Sequence, residues 1–257
     1  MAIDDHPGRI IEVGETDAGI VSRVQERLVD RGCGPLGVTG RFERDTKAAV
    51  QLFQARNVDA DEIPLKIDGR IGSLTWGALF GDASVPVQTT TSSPLLAAVL
   101  QVAASQIGVR EDPPGSNQGP VVDQYLASVG LDSKDDSYPW CAAFVYWCFE
   151  QASAASHVAN PVTRTASVLE HWRRSPARRI DAADAIEDPA LVQPGFIFVL
   201  STGGGAGHTG LVLAVHGGKL VTIEGNTNEG GSREGIGVFQ RESRKLADIN
   251  RGFLDYS

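Results

Sequence analysis

No apolar run in the sequence approaches the ~20 residues that a membrane-spanning helix requires, so membrane insertion is not expected. Basic residues are in the minority, with 23 Lys and Arg against 32 Asp and Glu and a formal net charge of −9. The deficit is spread along the chain: 10 basic against 14 acidic residues up to position 83, and 13 against 18 beyond it. Neither part is the basic module that nucleic acid or an anionic surface attracts, so no nucleic-acid partner is expected. Cysteine is scarce, with three residues at 33, 141 and 148. Cys141 and Cys148 fall seven positions apart on one predicted helix, about 10 Å by the rise per residue. That is beyond the roughly 7 Å Cα separation a disulfide spans, so three free thiols are expected. Metal-ligand spacings of the CxxC or HExxH kind are missing, so neither zinc nor a cofactor is expected. The opening Met1-Ala2-Ile3-Asp4-Asp5-His6 lacks the charged and apolar regions of a secretory signal. The corresponding expectation is synthesis in the cytoplasm and exit by another route.

What is present is length and apolar content enough for two domains: 257 residues, 42% hydrophobic. Residues 1–16 are polar and aperiodic and read as a flexible arm. From Ala18, Ile20, Val21, Val24 and Leu28 recur at helical spacing until Gly32 and Gly34. A second helix follows Asp45-Thr46, with Ala49, Val50 and Phe53 as its stripe. A third follows Gly72-Ser73, with Leu74, Trp76 and Leu79. Gly40-Arg41-Phe42-Glu43-Arg44-Asp45-Thr46 is echoed by Gly69-Arg70-Ile71-Gly72-Ser73-Leu74-Thr75, each copy a glycine turn leading into a helix start. This segment, residues 17–83, resembles the repeat-type peptidoglycan-binding domain of cell-wall hydrolases. The likeness rests on Val24-Gln25, Leu28, Gly40, Phe42, Thr46, Ala49-Val50, Phe53-Gln54, Asp68-Gly69, Ile71-Gly72, Thr75-Trp76 and Leu79. It departs at Thr39, where Asp is usual, and at Glu43, where Gly is usual. A different turn in the first loop is the corresponding expectation.

Residues 84–94 carry two prolines and no periodicity and read as a linker. From Leu95 to the end at 257, helices come first: one from Leu95 to Ile107, one from Val121 to Val129, one after Cys141 to Ala155, and one around Ala166 to Arg173. Strands follow at 196–200, 209–215, 220–224 and 236–240. Helices followed by an antiparallel sheet make an α+β layout.

The chain is organised around Pro139-Trp140-Cys141, where a polar loop turns into an apolar helix. First-turn N–H groups have no intrahelical acceptor, and the helix dipole adds positive charge there. Both favour a thiolate, and the same N–H groups can hold an oxyanion. A free cysteine is otherwise most often a small buried apolar residue. What raises Cys141 above that reading is a histidine, His208, delivered from Gly203-Gly204-Gly205-Ala206-Gly207 into a strand, with the next strand ending Glu224-Gly225-Asn226. A three-residue loop His216-Gly217-Gly218 pairs Val215 with Lys219 and sets His208 opposite Asn226 and Gly210 opposite Glu224. His208, Glu224 and Asn226 then share one face. A two-residue turn would shift that register by one. Cys141 is thus the candidate nucleophile and His208 the base, with Glu224 or Asn226 orienting the imidazole. His6, His157, His171 and His216 fit the role less well.

This part resembles the CHAP and NlpC-type cysteine hydrolases, on Pro139-Trp140-Cys141, Gly207-His208-Thr209-Gly210 and Glu224-Gly225-Asn226. The loop from Glu111 through Asn117 to Gly119 looks like a subgroup found in phages and bacterial effectors. The resemblance implies a papain-like catalytic domain joined to a small three-helix domain. It also implies a substrate cleft lined by Trp140, Tyr138, Asn117 and Glu111. The calcium-binding aspartates of some CHAP enzymes are not evident, so no metal is assigned. The two resemblances jointly imply a peptidoglycan hydrolase cleaving N-acetylmuramoyl–L-alanine or a stem or cross-bridge peptide bond. It would act at the wall or in the periplasm, as a phage endolysin or an injected effector. An immunity protein would be a partner in the latter case. The alternatives are a thiol acyltransferase of transglutaminase type on the same core, and a non-catalytic wall-binding protein.

Overall fold

The computed structural model describes residues 5–228 and 235–257. The chain divides into two compact units, 1–87 with 186–190 and 216–218, and 88–185 with 191–215 and 219–257.

The first unit is built on α1 (Ala18–Asp30), α2 (Arg44–Gln54) and α3 (Ser73–Phe80). Asp17 caps α1, its Oδ1 accepting from the N–H groups of Gly19 and Ile20 at 3.0 Å each. The apolar stripes of the three helices meet in a core that includes Val21, Val24, Leu28, Val50, Phe53, Trp76 and Leu79. The sequence echo is a structural repeat centred on two buried glutamines. Gln25 donates to Thr39 Oγ1, Arg41 O and Thr46 Oγ1 and accepts from the N–H groups of Thr39 and Gly40. Gln54 does the same in the second copy, donating to Asp68 Oδ1, Arg70 O and Thr75 Oγ1 and accepting from Gly69 N–H. The substitution at Thr39 does not change the turn. Its hydroxyl takes the bonds from the glutamine and from Arg41 N–H that the Asp68 carboxylate takes from Gln54 and Arg70 N–H. Residues 5–16 are not loose: Ile11 is fully buried and exchanges both backbone hydrogen bonds with Ile71, and His6 is buried edge-on to Trp76. One bridge in a polar stretch leaves no periodic trace. Replacing Gln25 by Leu strands buried N–H and C=O groups and should destabilise this unit by about 3 kcal/mol. Thermal unfolding measures it, and an unchanged transition would contradict the central role of the glutamine.

The second unit opens with α4 (Pro94–Ser105), capped by Ser93 and started by Pro94, followed by α5 (Val122–Ser128). Next come α6 (Cys141–Ala155), α7 (Val168–Arg174), β1 (Arg178–Asp181) and α8 (Ala182–Glu187). The remaining strands are β2 (Ile197–Gly203), β3 (Ala206–His216), β4 (Lys219–Thr227), β5 (Gly237–Lys245) and β6 (Gly252–Asp255). They form one sheet in the order β1-β6-β2-β3-β4-β5. The architecture is α+β, helices and an antiparallel sheet. Helix α6 is apolar nearly all round because it is the central helix, packed against α4, α5 and β4. Its start lies against the end of β4, where a Cβ on Gly225 would come within 2.7 Å of Phe144 Cγ and 2.8 Å of Trp140 Cζ3. Glycine is required there for the helix to approach the strand. Among the described residues no helix is long and apolar enough to cross a membrane.

Three further readings are corrected. The β3–β4 connection is the two-residue turn Gly217-Gly218 with Gly217 at φ 53°, rather than a three-residue loop. The last hairpin strand is longer than expected, running to Lys245 instead of Gln240. Strands β1 and β6 were not expected at all. They pair with each other, Ile180 opposite Phe253, and at four residues apiece are too short for an alternation to stand out.

Candidate active site

Cys141 is the first residue of α6, following Trp140 at φ −117°, ψ 12°. No side chain caps this start. The first-turn N–H groups of Cys141, Ala142 and Ala143 have no acceptor within the helix. Their positive end faces whatever charge develops at the sulfur or on an oxygen beside it.

His208 stands near the start of β3 and is 3% exposed. Its Nε2 lies 2.7 Å from Oε2 of Glu224, which is fully buried on β4. The shorter turn therefore does not scatter the pair. A Cβ on Gly210 would sit 2.9 Å from Glu224 Cγ, so Gly210 still faces Glu224, and its missing side chain leaves room for the carboxylate. Burial by itself lowers the pKa of His208, but interaction with Cys141 and with Glu224 outweighs it and raises the imidazole to about 9. Nδ1 has no hydrogen-bond partner of ordinary geometry, although the thiol is near enough to be felt. Resting catalytic contacts are often longer or less well aligned than those of the reacting complex. With Nε2 committed to Glu224, Nδ1 is the ring atom left for the thiol proton.

Glu224 has every acceptor position filled. Its Oε2 takes His208 Nε2 and a terminal guanidinium nitrogen of Arg244 at 2.7 Å each. Its Oε1 takes Arg244 Nε at 2.8 Å and the Thr222 hydroxyl at 2.5 Å. Burial pushes the carboxyl up, but the bonds from His208 and Arg244 more than reverse this and hold it at about 2. Arg244 is itself 6% exposed and stacks over Phe198, 4.7 Å from the ring centroid. Sequence reasoning missed Arg244 and Thr222. Arg244 sits in the polar run 241–245, which reads as solvated, and the only available signal was that β5 extends through it.

The hydrogen bonds of Asn226 go elsewhere than to His208. With its amide oriented so that donors meet acceptors, Oδ1 accepts from Trp140 N–H at 3.1 Å, and the nitrogen donates to Asn117 Oδ1 at 3.3 Å and Gly235 O at 3.2 Å. Asn117, at φ 57°, donates in turn to Ser137 Oγ at 3.0 Å. The chain from the 110–119 loop thus reaches the peptide just before Cys141. Trp140 is fully buried, its indole N–H donating to Glu111 Oε1 at 2.8 Å, and Glu111 is 4% exposed. As placed, these two brace the start of α6 from inside and offer no surface to a ligand. Tyr138 and Asn117 are half-buried. The other histidines lie elsewhere. His171 is buried on the Tyr256 hydroxyl at 2.9 Å, His157 is exposed past the end of α6, and His216 ends β3. Among the described residues no group of three or more His, Cys, Asp or Glu side chains is placed to hold a metal ion.

A cysteine at a helix start, a histidine and a carboxylate gathered on one α+β unit form a set able to carry out acyl transfer through a thiol. Comparison with protein families assigns the class. Residues 133–226 match the CHAP domain, a family typically of cysteine- and histidine-dependent amidases or peptidases. Residues 18–79 match the putative peptidoglycan binding domain, so the chain carries a peptidoglycan-binding domain followed by a CHAP domain. No curated protein and no solved structure matches the chain. The pairing supports a peptidoglycan hydrolase for which the wall polymer is both anchor and substrate.

Proposed function

We propose that the protein hydrolyses an amide bond of bacterial peptidoglycan, N-acetylmuramoyl–L-alanine or a peptide bond of the stem or cross-bridge, through an acyl-enzyme on Cys141. The observation that carries this reading is the His208 ring, held at Nε2 by Glu224 with Nδ1 left open beside a helix-start cysteine. His208 takes the thiol proton at Nδ1, and the sulfur attacks the carbonyl carbon. The oxyanion forms beside the first-turn N–H groups of α6. His208 then gives its proton to the departing amine, leaving a thioester. Water attacks the thioester, His208 takes its proton, and the carboxylic acid leaves with the thiol restored. Glu224 holds the ring at Nε2 so that Nδ1 is the nitrogen that exchanges protons with the thiol, and Asn226 holds the Trp140 peptide beside the nucleophile. A wall-binding unit on the same chain raises the local concentration of scissile bonds on an insoluble polymer.

The test is digestion of purified sacculi followed by mass spectrometry of the released material. New amino termini within stem peptides identify an endopeptidase, and intact free stems with lactyl-bearing glycans identify an amidase. No soluble product from sacculi of several wall types would overturn the hydrolase reading.

The pH dependence follows from His208. Its folded value, about 9, lies above the ordinary 6.5, so the stability that the charged imidazole contributes is fully present below about 6.5 and is lost as pH rises through 9. Because the imidazolium must protonate the leaving amine, kcat/KM should fall on the alkaline side with an apparent pKa near 9. A descending limb at pH 7 would mean that the interactions with Cys141 and Glu224 do not charge the imidazole in solution.

A further inference from the structure

We propose that Arg244 is a positioning residue of this reaction, holding the Glu224 carboxylate in one orientation so that a single oxygen is presented to His208 Nε2. The proposal rests on the hydrolytic reading above and adds to it a residue from β5, outside the Cys–His–Glu set. Arg244 meets Glu224 with two prongs, Nε to Oε1 at 2.8 Å and a terminal nitrogen to Oε2 at 2.7 Å. A fork of this kind fixes the plane of a carboxylate, which a single contact cannot do. The guanidinium is fixed in turn by stacking over Phe198, on the strand that pairs with β3, with Phe198 opposite Gly210.

The reason a cation belongs there lies in the catalytic cycle. A fully buried carboxylate needs a permanent partner, and His208 is not permanent because it gives up its proton to the leaving group. Among the described residues, the ionisable groups facing Glu224 are His208 from β3, Arg244 from β5 and, beyond the imidazole, Cys141 from α6. With Arg244 present, thiolate, imidazolium, carboxylate and guanidinium sum to zero. In the acyl-enzyme the thioester and neutral imidazole leave carboxylate and guanidinium, again zero. Without Arg244 both states carry a buried negative charge, and in the second nothing opposes it. Protonation of Glu224 relieves this, and it removes the charge that stabilises the imidazolium.

The experiment uses the full chain labelled with 13C at glutamate carboxyls. It compares wild type with Arg244→Met and Arg244→Lys, checking each for a cooperative melt. In Arg244→Met the Glu224 carboxyl should titrate upward from about 2, because the Arg244 bonds that help offset burial are gone while those from His208 remain. The acid limb of kcat/KM should move up with it, and kcat should fall by about 100-fold while KM stays within about threefold. Arg244→Lys keeps the charge without the fork. Its Glu224 titration should stay below 4.5, with a kcat loss of about tenfold. If Arg244→Met does not fold, the lysine variant alone decides. Wild-type kcat in a folded variant, or a rate loss equal at every pH with Glu224 titrating as in wild type, would overturn the proposal. The carboxyl titration needs no substrate, so a wild-type protein that digested no wall would sink the hydrolytic reading and still report on Arg244.

Discussion

Cys141→Ala should abolish release of soluble fragments from sacculi, by at least about 10⁴-fold in rate, with the fold intact. Loss of a nucleophile removes the covalent path altogether, and what remains is binding and whatever oxyanion stabilisation the α6 start gives to water attack. The substitution deletes one sulfur at a site that is 3% exposed, so the cost in stability should be small, about 1 kcal/mol. Two internal controls sharpen the result. Cys148 lies on the same helix but is fully buried, and burial pushes its thiol well above the ordinary range. Cys33 lies in the first unit, and burial raises its thiol too. Neither is equipped to attack a carbonyl. Cys148→Ala and Cys33→Ala should therefore digest sacculi at close to the wild-type rate, apart from modest losses in melting temperature. Digestion that survives Cys141→Ala, or that depends on Cys148, would place the chemistry elsewhere.

The parts of this protein that could be read from sequence are those in which one residue type recurs at a structural period. The stripes Val21, Val24, Leu28 and Ala49, Val50, Phe53 are buried as helix faces, and the Gly40 and Gly69 echo marks two copies of one turn. The apolar α6 announced a central helix, and its abrupt start marked Cys141. Other features had no such period. Ile11 joins the first unit through a single bridge. Strands β1 and β6 are four residues long and bounded by Arg178, Asp181 and Asp255. The turn at Gly217-Gly218 has two glycines, and composition alone does not say which backbone type they adopt. Even spacing along β4 put Glu224 and Asn226 on one face but could not say which of them meets the imidazole. That depends on where α6 lies across the sheet end, because Asn226 turns to Trp140 N–H. Arg244 was hidden for a different reason. A buried arginine looks like any other charge in a polar run until its carboxylate is known.

Glu224 should separate into two functions when it is replaced in two ways. Glu224→Leu leaves Arg244, 6% exposed, without a counter-charge and His208 Nε2 without an acceptor. Breaking a buried pair from one side in this way costs about 3–5 kcal/mol, so the melting temperature should fall steeply and activity should vanish with the fold. Glu224→Gln keeps the shape. Its amide oxygen can occupy the Oε2 place and still accept from His208 and from the terminal nitrogen of Arg244, while its NH2 turns to the Thr222 hydroxyl. Only the contact with Arg244 Nε becomes donor against donor. This variant should fold with a smaller loss of stability, and its imidazole should keep the same orientation. It loses the negative charge, however. With the carboxylate's share of the opposition to burial gone and only the Cys141 interaction left to raise it, the pKa of His208 should drop below its wild-type value of about 9. At pH 8 less imidazolium would then be present, and kcat/KM should be down by about tenfold or more, whereas near pH 5.5 much of the loss should be recovered. A kcat/KM profile for Glu224→Gln across pH 5 to 9, set beside a thermal melt of both variants, measures this. If the glutamine variant lost activity equally at every pH, Glu224 would be acting by orientation alone. If it lost none, the charge on Glu224 would serve only to compensate Arg244, and the imidazole would owe its proton to the Cys141 thiolate.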